Sequence, residues 1–87
     1  MSNMAERKVL LITGAARRIG AAIATLFHSR GHDVIVHFNQ SEQQALDLVN
    51  GFNAQRPNSA MCLQADLCAV SQVHELAAAA IAWRGGI

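Results

Sequence analysis

The residues best suited to do chemistry lie in Thr13-Gly14-Ala15-Ala16-Arg17-Arg18-Ile19-Gly20, where a glycine near each end frames two guanidinium groups. Glycine permits a tight turn and a close approach of backbone to ligand. A helix starting there would offer free amides and partial positive charge to an anion such as a pyrophosphate. Cations at a helix N-terminus oppose its dipole by roughly a few tenths of a kcal/mol each, so Arg17 and Arg18 together ask for a phosphate rather than open solvent. Two later stretches stand beside apolar runs in the same way: His37-Phe38-Asn39-Gln40-Ser41, which holds no carboxylate, and Asp66-Leu67, which offers one. Taken alone, the Asp66 carboxylate suits a turn or a cap.

The elements that must position these groups alternate in period. Val9 to Thr13 is a continuous apolar run, as expected of a strand covered on both faces. Ile19, Ala22, Ile23, Leu26 and Phe27 then recur at the spacing of one helix face, predicting a helix from about Arg18 to Arg30 that stops at Gly31. Asp33 to Phe38 repeats the strand signal. Ser41-Glu42-Gln43-Gln44 fits a capping box for a second helix with the stripe Ala45, Leu48, Val49 and Phe52. Gln55 to Ser59 is turn chemistry, Ala60 to Asp66 reads as a third strand, and Val73, Leu76, Ala77, Ala80 and Ile81 mark a third helix ended by Gly85-Gly86.

This order predicts an α/β fold, the N-terminal half of a Rossmann-type doubly wound parallel sheet (βαβαβα, strand order 3-2-1). Residues 1–7 are expected to form a flexible leader. Residues 8–87 would be a partial dinucleotide-binding domain, truncated before the fourth strand and leaving the first strand's outer edge bare.

Composition narrows the function classes. The 87 residues are 52% hydrophobic and 15% charged with one proline, which suits a packed segment rather than a disordered one. Seven basic against six acidic side chains give a net charge of +1, too little to hold nucleic acid or an anionic membrane by a long-range field. No apolar run approaches the roughly 18 residues of a membrane span. Cys62 and Cys68 have no partner at metal-ligand spacing and read as reduced thiols, Cys62 buried, in a cytoplasmic chain; no metal site is expected.

"TGAARRIG", then "HFNQS" after the second strand and "NAQRPNSAMCLQADL" beyond it, resemble the short-chain dehydrogenase/reductase family and, within it, the pteridine reductases. The resemblance runs from Lys8 to Ile87. The family's usual loop is Thr-Gly-x3-Gly-x-Gly, and Arg18 stands at the middle glycine, a replacement typical of the pteridine reductase subgroup. The resemblance implies a cofactor site made of Gly14, Arg17, Arg18, Ile19, Gly20, His37, Phe38, Asn39, Ser41, Asp66 and Leu67. Gly14 and Gly20 would shape the turn and Ile19 would give a backbone amide. Arg18 would lie between cofactor phosphate and a pterin-like substrate, Arg17 would face the adenosine 2′-phosphate, and Asp66 would accept from the adenine amino group.

An NAD-binding chain places Asp or Glu about 20 residues beyond the glycines, on the ribose 2′-hydroxyl. Its absence here admits a 2′-phosphate, so the expected cofactor is NADP(H). A basic residue often stands at Gln40 in the subgroup, which leaves selectivity to Arg17, His37 and Ser41. The family's catalytic Tyr and Lys, four residues apart, have no counterpart, since the chain has no tyrosine and its only lysine is Lys8. No catalytic residue is therefore assigned, and the chain alone is expected to be inactive. The complete enzyme would be a homotetramer reducing dihydropteridine or dihydrofolate. The alternatives are another NADP-dependent short-chain reductase, of 3-oxoacyl or sugar type, or a non-catalytic nucleotide-binding or interaction module.

Overall fold

The computed structural model describes residues 8–14 and 18–83. Within them three strands alternate with three helices: β1 (Val9–Ile12), α1 (Arg18–Ser29), β2 (Asp33–Phe38), α2 (Glu42–Gln55), β3 (Ala60–Gln64) and α3 (Val70–Ala82). The strands form one parallel sheet with β2 between β1 and β3. Val9 pairs with Asp33 and Ile12 with Val36 on one side, Val34 with Ala60 and Phe38 with Gln64 on the other. This is the expected half-Rossmann arrangement, with β1 at an edge. β1 and β3 each end before the apolar run does, so Thr13, Ala65 and Asp66 belong to the connections.

Alternation along β2 sorts the core into two layers. Val34, Val36 and Phe38 meet Ala24 of α1 and Ala45, Val49 and Phe52 of α2. On the opposite face Ile35 packs with Val9 and with Ala80 of α3, and Leu11, Met61, Leu63 and Trp83 close around them. Val34, Ile35 and Val36 are fully buried, each worth about 1.5–3 kcal/mol by burial alone. Only the central strand is buried along its whole length; the edge strands are half-covered.

The α2 stripe packs as its spacing predicts, but α1 corrects the expectation. Its buried residues are Ala24 and His28, whereas Ile19, Ile23, Leu26 and Phe27 are exposed, Ile19 at 77%. Periodicity reports where apolar residues recur, not which side meets the sheet. Here the inward face is the narrow one, with Gly20 and Ala21 half-buried above Ala24, and small side chains let a helix approach a sheet closely. α3 similarly buries Leu76 and Ala80 and leaves Ile81 exposed. It ends at Ala82, ahead of Gly85-Gly86, which lie outside the described residues, as does the leader 1–7.

Polar groups fasten the amino-terminal ends of the strands. Gly31, at φ +93°, closes α1: its N–H donates to the His28 carbonyl while His32 N–H donates to that of Phe27, the two bonds of a Schellman cap. The Arg56 guanidinium donates to the carbonyls of His28 and His32 and lies 3.5 Å from the Asp33 carboxylate, whose side chain is 3% exposed. Asn53 Oδ1 accepts from the N–H groups of Ser59 and Ala60 while its Nδ2 donates to the Ala60 carbonyl, joining α2 to β3. His28 stacks on Phe52 with ring centroids 4.4 Å apart, and its Nε2 sits 2.7 Å from Ser59 Oγ. The stretch from Asn53 to Ser59 is thus a set of clamps as well as a turn.

Candidate functional site

The carboxyl ends of parallel strands, where each connection turns away into a helix, form the crevice in which open α/β sheets bind ligands. In this chain that end carries Gly14 after β1, Phe38 and Asn39 at the end of β2, and Asp66 after β3. Gly14 takes φ +61°, and a Cβ built on it would meet nothing within 4 Å. Glycine is needed there for its backbone angle, and the space beside it is open to an approaching ligand.

Arg18 is the first residue of α1 and also has a left-handed backbone, φ 51°. That conformation costs a non-glycine residue about 1–2 kcal/mol. A cationic side chain held in glycine's conformation, at a helix N-terminus that disfavours cations, is strain of the kind that persists where a ligand is bound. Arg18 and Ile19 are exposed and Gly20 is half-buried. Ala15, Ala16 and Arg17 lie outside the described residues.

After β2 the expected residues divide. Phe38 is buried in the core between the sheet and the two helices, so its side chain is structural and only its backbone borders the crevice. His37 is buried too, at 4% exposure. Its Nδ1 accepts from Gly14 N–H at 3.0 Å and its Nε2 lies 2.9 Å from the Ala65 carbonyl oxygen. That placement corrects the expectation that its side chain selects a 2′-phosphate, because both ring nitrogens are engaged inside the protein. Asn39 is exposed, and its carbonyl and Oδ1 both accept from Gln64 Nε2. Ser41 starts α2, but its hydroxyl makes no capping bond; with a backbone at φ −94° and ψ 53° it departs from the extended geometry a capping serine uses. The capping box read from the sequence does not form, and the hydroxyl stands at a 14-residue helix's N-terminus.

At β3 the Asp66 N–H donates to Gln72 Oε1 and Asp66 Oδ1 accepts from Cys68 N–H at 2.9 Å. This Asx turn fixes the carboxylate's direction without exhausting its lone pairs, roughly four in number. Leu67 is 45% exposed. Cys62 is half-buried rather than fully buried; burial pushes its thiol up from the usual range, and the Glu42 carboxylate pushes the same way. Among the described residues no group of three or more His, Cys, Asp or Glu could hold a metal ion, and no helix is long and apolar enough to cross a membrane.

The sequence matches the family model for short chain dehydrogenase over residues 8–87. The chain belongs to the short-chain dehydrogenase family. It is 42% identical over 71 residues to Pteridine reductase 1 of Leishmania tarentolae, covering 82% of this chain and 25% of that protein. Elsinochrome reductase 1 of Elsinoe fawcettii is 40% identical over 80 residues, 92% of this chain and 30% of its own length. Hydroxynaphthalene reductase-like protein Arp2 of Metarhizium guizhouense is 38% identical over 69 residues, 79% of this chain and 26% of its own. The chain thus spans between a quarter and a third of these short-chain dehydrogenase relatives. The family is one of oxidoreductases, and membership implies a nicotinamide dinucleotide cofactor. The groups at the carboxyl end suit one: an open glycine turn, a helix start with a cation for phosphate, and an oriented carboxylate for an amino group.

Sequence reasoning does not find the partners of His37, which are 23 and 28 residues away. The only signal is its position one residue before the end of β2, a polar side chain directly after the apolar run Val34 to Val36.

Proposed function

We propose that this chain is the NADP(H)-binding portion of a pteridine-reductase-like short-chain reductase, whose complete form transfers hydride to a dihydropteridine or dihydrofolate. The observation that carries the reading is Arg18, a cation kept in a left-handed backbone at the first residue of α1. The similarity to Pteridine reductase 1 supports the choice of substrate class.

The segment Asn39-Gln40-Ser41 offers no carboxylate to a ribose 2′-hydroxyl, which supports NADP(H) over NAD(H). With His37 turned inward, selectivity for the 2′-phosphate rests on Arg17 and on Ser41, whose hydroxyl is not used as a cap. In this reading the turn from Gly14 to Gly20 holds the pyrophosphate, Arg18 lies between phosphate and pterin, and Asp66 and Leu67 border the adenine. The cofactor supplies the hydride; this chain's residues bind and orient it. The catalytic Tyr and Lys belong to the complete enzyme, a cytoplasmic homotetramer in this reading, so the 87 residues alone turn over no substrate.

Calorimetry with 2′,5′-ADP against 5′-AMP tests the cofactor. Tighter binding of 2′,5′-ADP is expected, and equal affinities would defeat the assignment. Turnover of NADPH and dihydrobiopterin by the 87-residue chain would overturn its role as a binding portion only.

A further inference from the structure

We infer that His37 is a positioning residue for the dinucleotide, a buried staple that fixes the Gly14 backbone where β1 gives way to the glycine turn. The inference rests on the cofactor reading above. Gly14 is the first residue of that turn for which φ becomes positive, +61°, and nothing crowds it into place. What fixes it is its own N–H, which donates to His37 Nδ1 at 3.0 Å.

A backbone N–H can only donate and a carbonyl can only accept, so the two contacts assign the ring. Nδ1 carries the lone pair for Gly14, and Nε2 carries the proton for the Ala65 oxygen 2.9 Å away. His37 itself sits on β2, opposite Leu63 of β3. One imidazole therefore ties the exits of all three strands together, at the height where β1 has already left the ladder after pairing Ile12 with Val36. The bond also has a consequence for the ligand: the Gly14 amide is spent on His37 and is not among those available to a phosphate. The anion is left to other donors, the free N–H groups at the start of α1 among them.

Two substitutions separate the halves of the staple. In His37→Asn the Oδ1 replaces Nδ1 and can still accept from Gly14. In His37→Leu nothing accepts from Gly14, and the part-buried bond that fixes its angle is lost. The intact protein is expected to bind 2′,5′-ADP with His37→Asn within about threefold of the unsubstituted protein, and with His37→Leu roughly tenfold or more weakly. A merely structural role predicts instead that both follow thermal stability. Equal loss in the two variants at equal melting temperature would overturn the inference.

Should either variant fail to fold, the unsubstituted protein decides. Its imidazole nitrogen spectrum should place the proton of His37 on Nε2, and its Gly14 amide should exchange with solvent slowly. A Gly14 amide exchanging as fast as an open loop would overturn the staple while leaving the cofactor reading intact. Failure of the unsubstituted protein to bind either 2′,5′-ADP or 5′-AMP would overturn the cofactor reading, and with it the purpose assigned to His37.

Discussion

Replacing Arg56 by Met should destabilise the protein by about 3 kcal/mol, and the figure follows from what the guanidinium touches. It donates to two carbonyls at the C-terminal end of α1, those of His28 and His32. Hydrogen bonds from a charged group are worth about 1.5–3 kcal/mol each, and the lower end applies because the Arg56 side chain is 30% exposed. Removing the cation also takes one partner from the Asp33 carboxylate, 3.5 Å away and almost fully buried, at roughly 1 kcal/mol or more. Against this, Arg56 Nε is buried without a hydrogen-bond partner, so its removal returns roughly 1 kcal/mol of desolvation. Methionine keeps most of the apolar stem, which limits the loss from packing. Urea unfolding followed by far-ultraviolet circular dichroism would read the change directly. For a domain of this size it corresponds to a fall in melting temperature of about 12–24 °C. Arg56→Lys should recover less than half, since a single ammonium cannot span both carbonyls. A loss below about 0.5 kcal/mol in Arg56→Met, the range of ordinary surface substitutions, would refute the clamp. So would full additivity with Asp33→Asn, because groups in contact should couple.

Two other perturbations have definite outcomes. Arg18→Gly relieves the left-handed strain at φ 51° and, after glycine's own entropic cost, should raise stability by about 0.5–1 kcal/mol; the same change should weaken 2′,5′-ADP binding in calorimetry, and a stabilised variant with undiminished affinity would remove Arg18 from the site. Cys62, with its thiol pKa raised by burial and by Glu42, holds less thiolate than an ordinary cysteine at any pH below that raised value. Iodoacetamide should therefore modify the exposed Cys68 first and Cys62 only as pH rises, with Glu42→Gln shifting the Cys62 profile to lower pH; mass spectrometry of the labelled peptides would show the order.

Part of this architecture is legible in the order of the amino acids alone, and the reasons differ by element. β2 is plain because Val34, Ile35 and Val36 are covered on both faces, and that leaves an uninterrupted apolar run. α2 is plain because the residues of its stripe, Ala45, Val49 and Phe52, all point at the same layer. α1 misleads because Ile19, Ile23, Leu26 and Phe27 have helical spacing yet lie outward, while the face on the sheet is marked only by Ala24 and a histidine. Ser41 is placed correctly as a helix start, but whether its hydroxyl bends back onto the helix depends on one backbone angle that sequence does not encode. His37, Arg56 and Ser59 act on partners 23 to 31 residues away, distances over which no local pattern carries information.

The clamps of Asn53, Arg56 and Ser59 all grip where strands begin, whereas Gly14, Asn39 and Asp66 lie where strands end. Six residues of β2 put about 20 Å between the two rims. At such separations substitutions act independently, so the rim that sets how firmly the sheet holds can drift in sequence while the rim that meets the nucleotide is left alone, and the reverse. His37 marks the limit of that freedom: it is interior by burial yet belongs to the ligand's rim, so a change there would be felt in both.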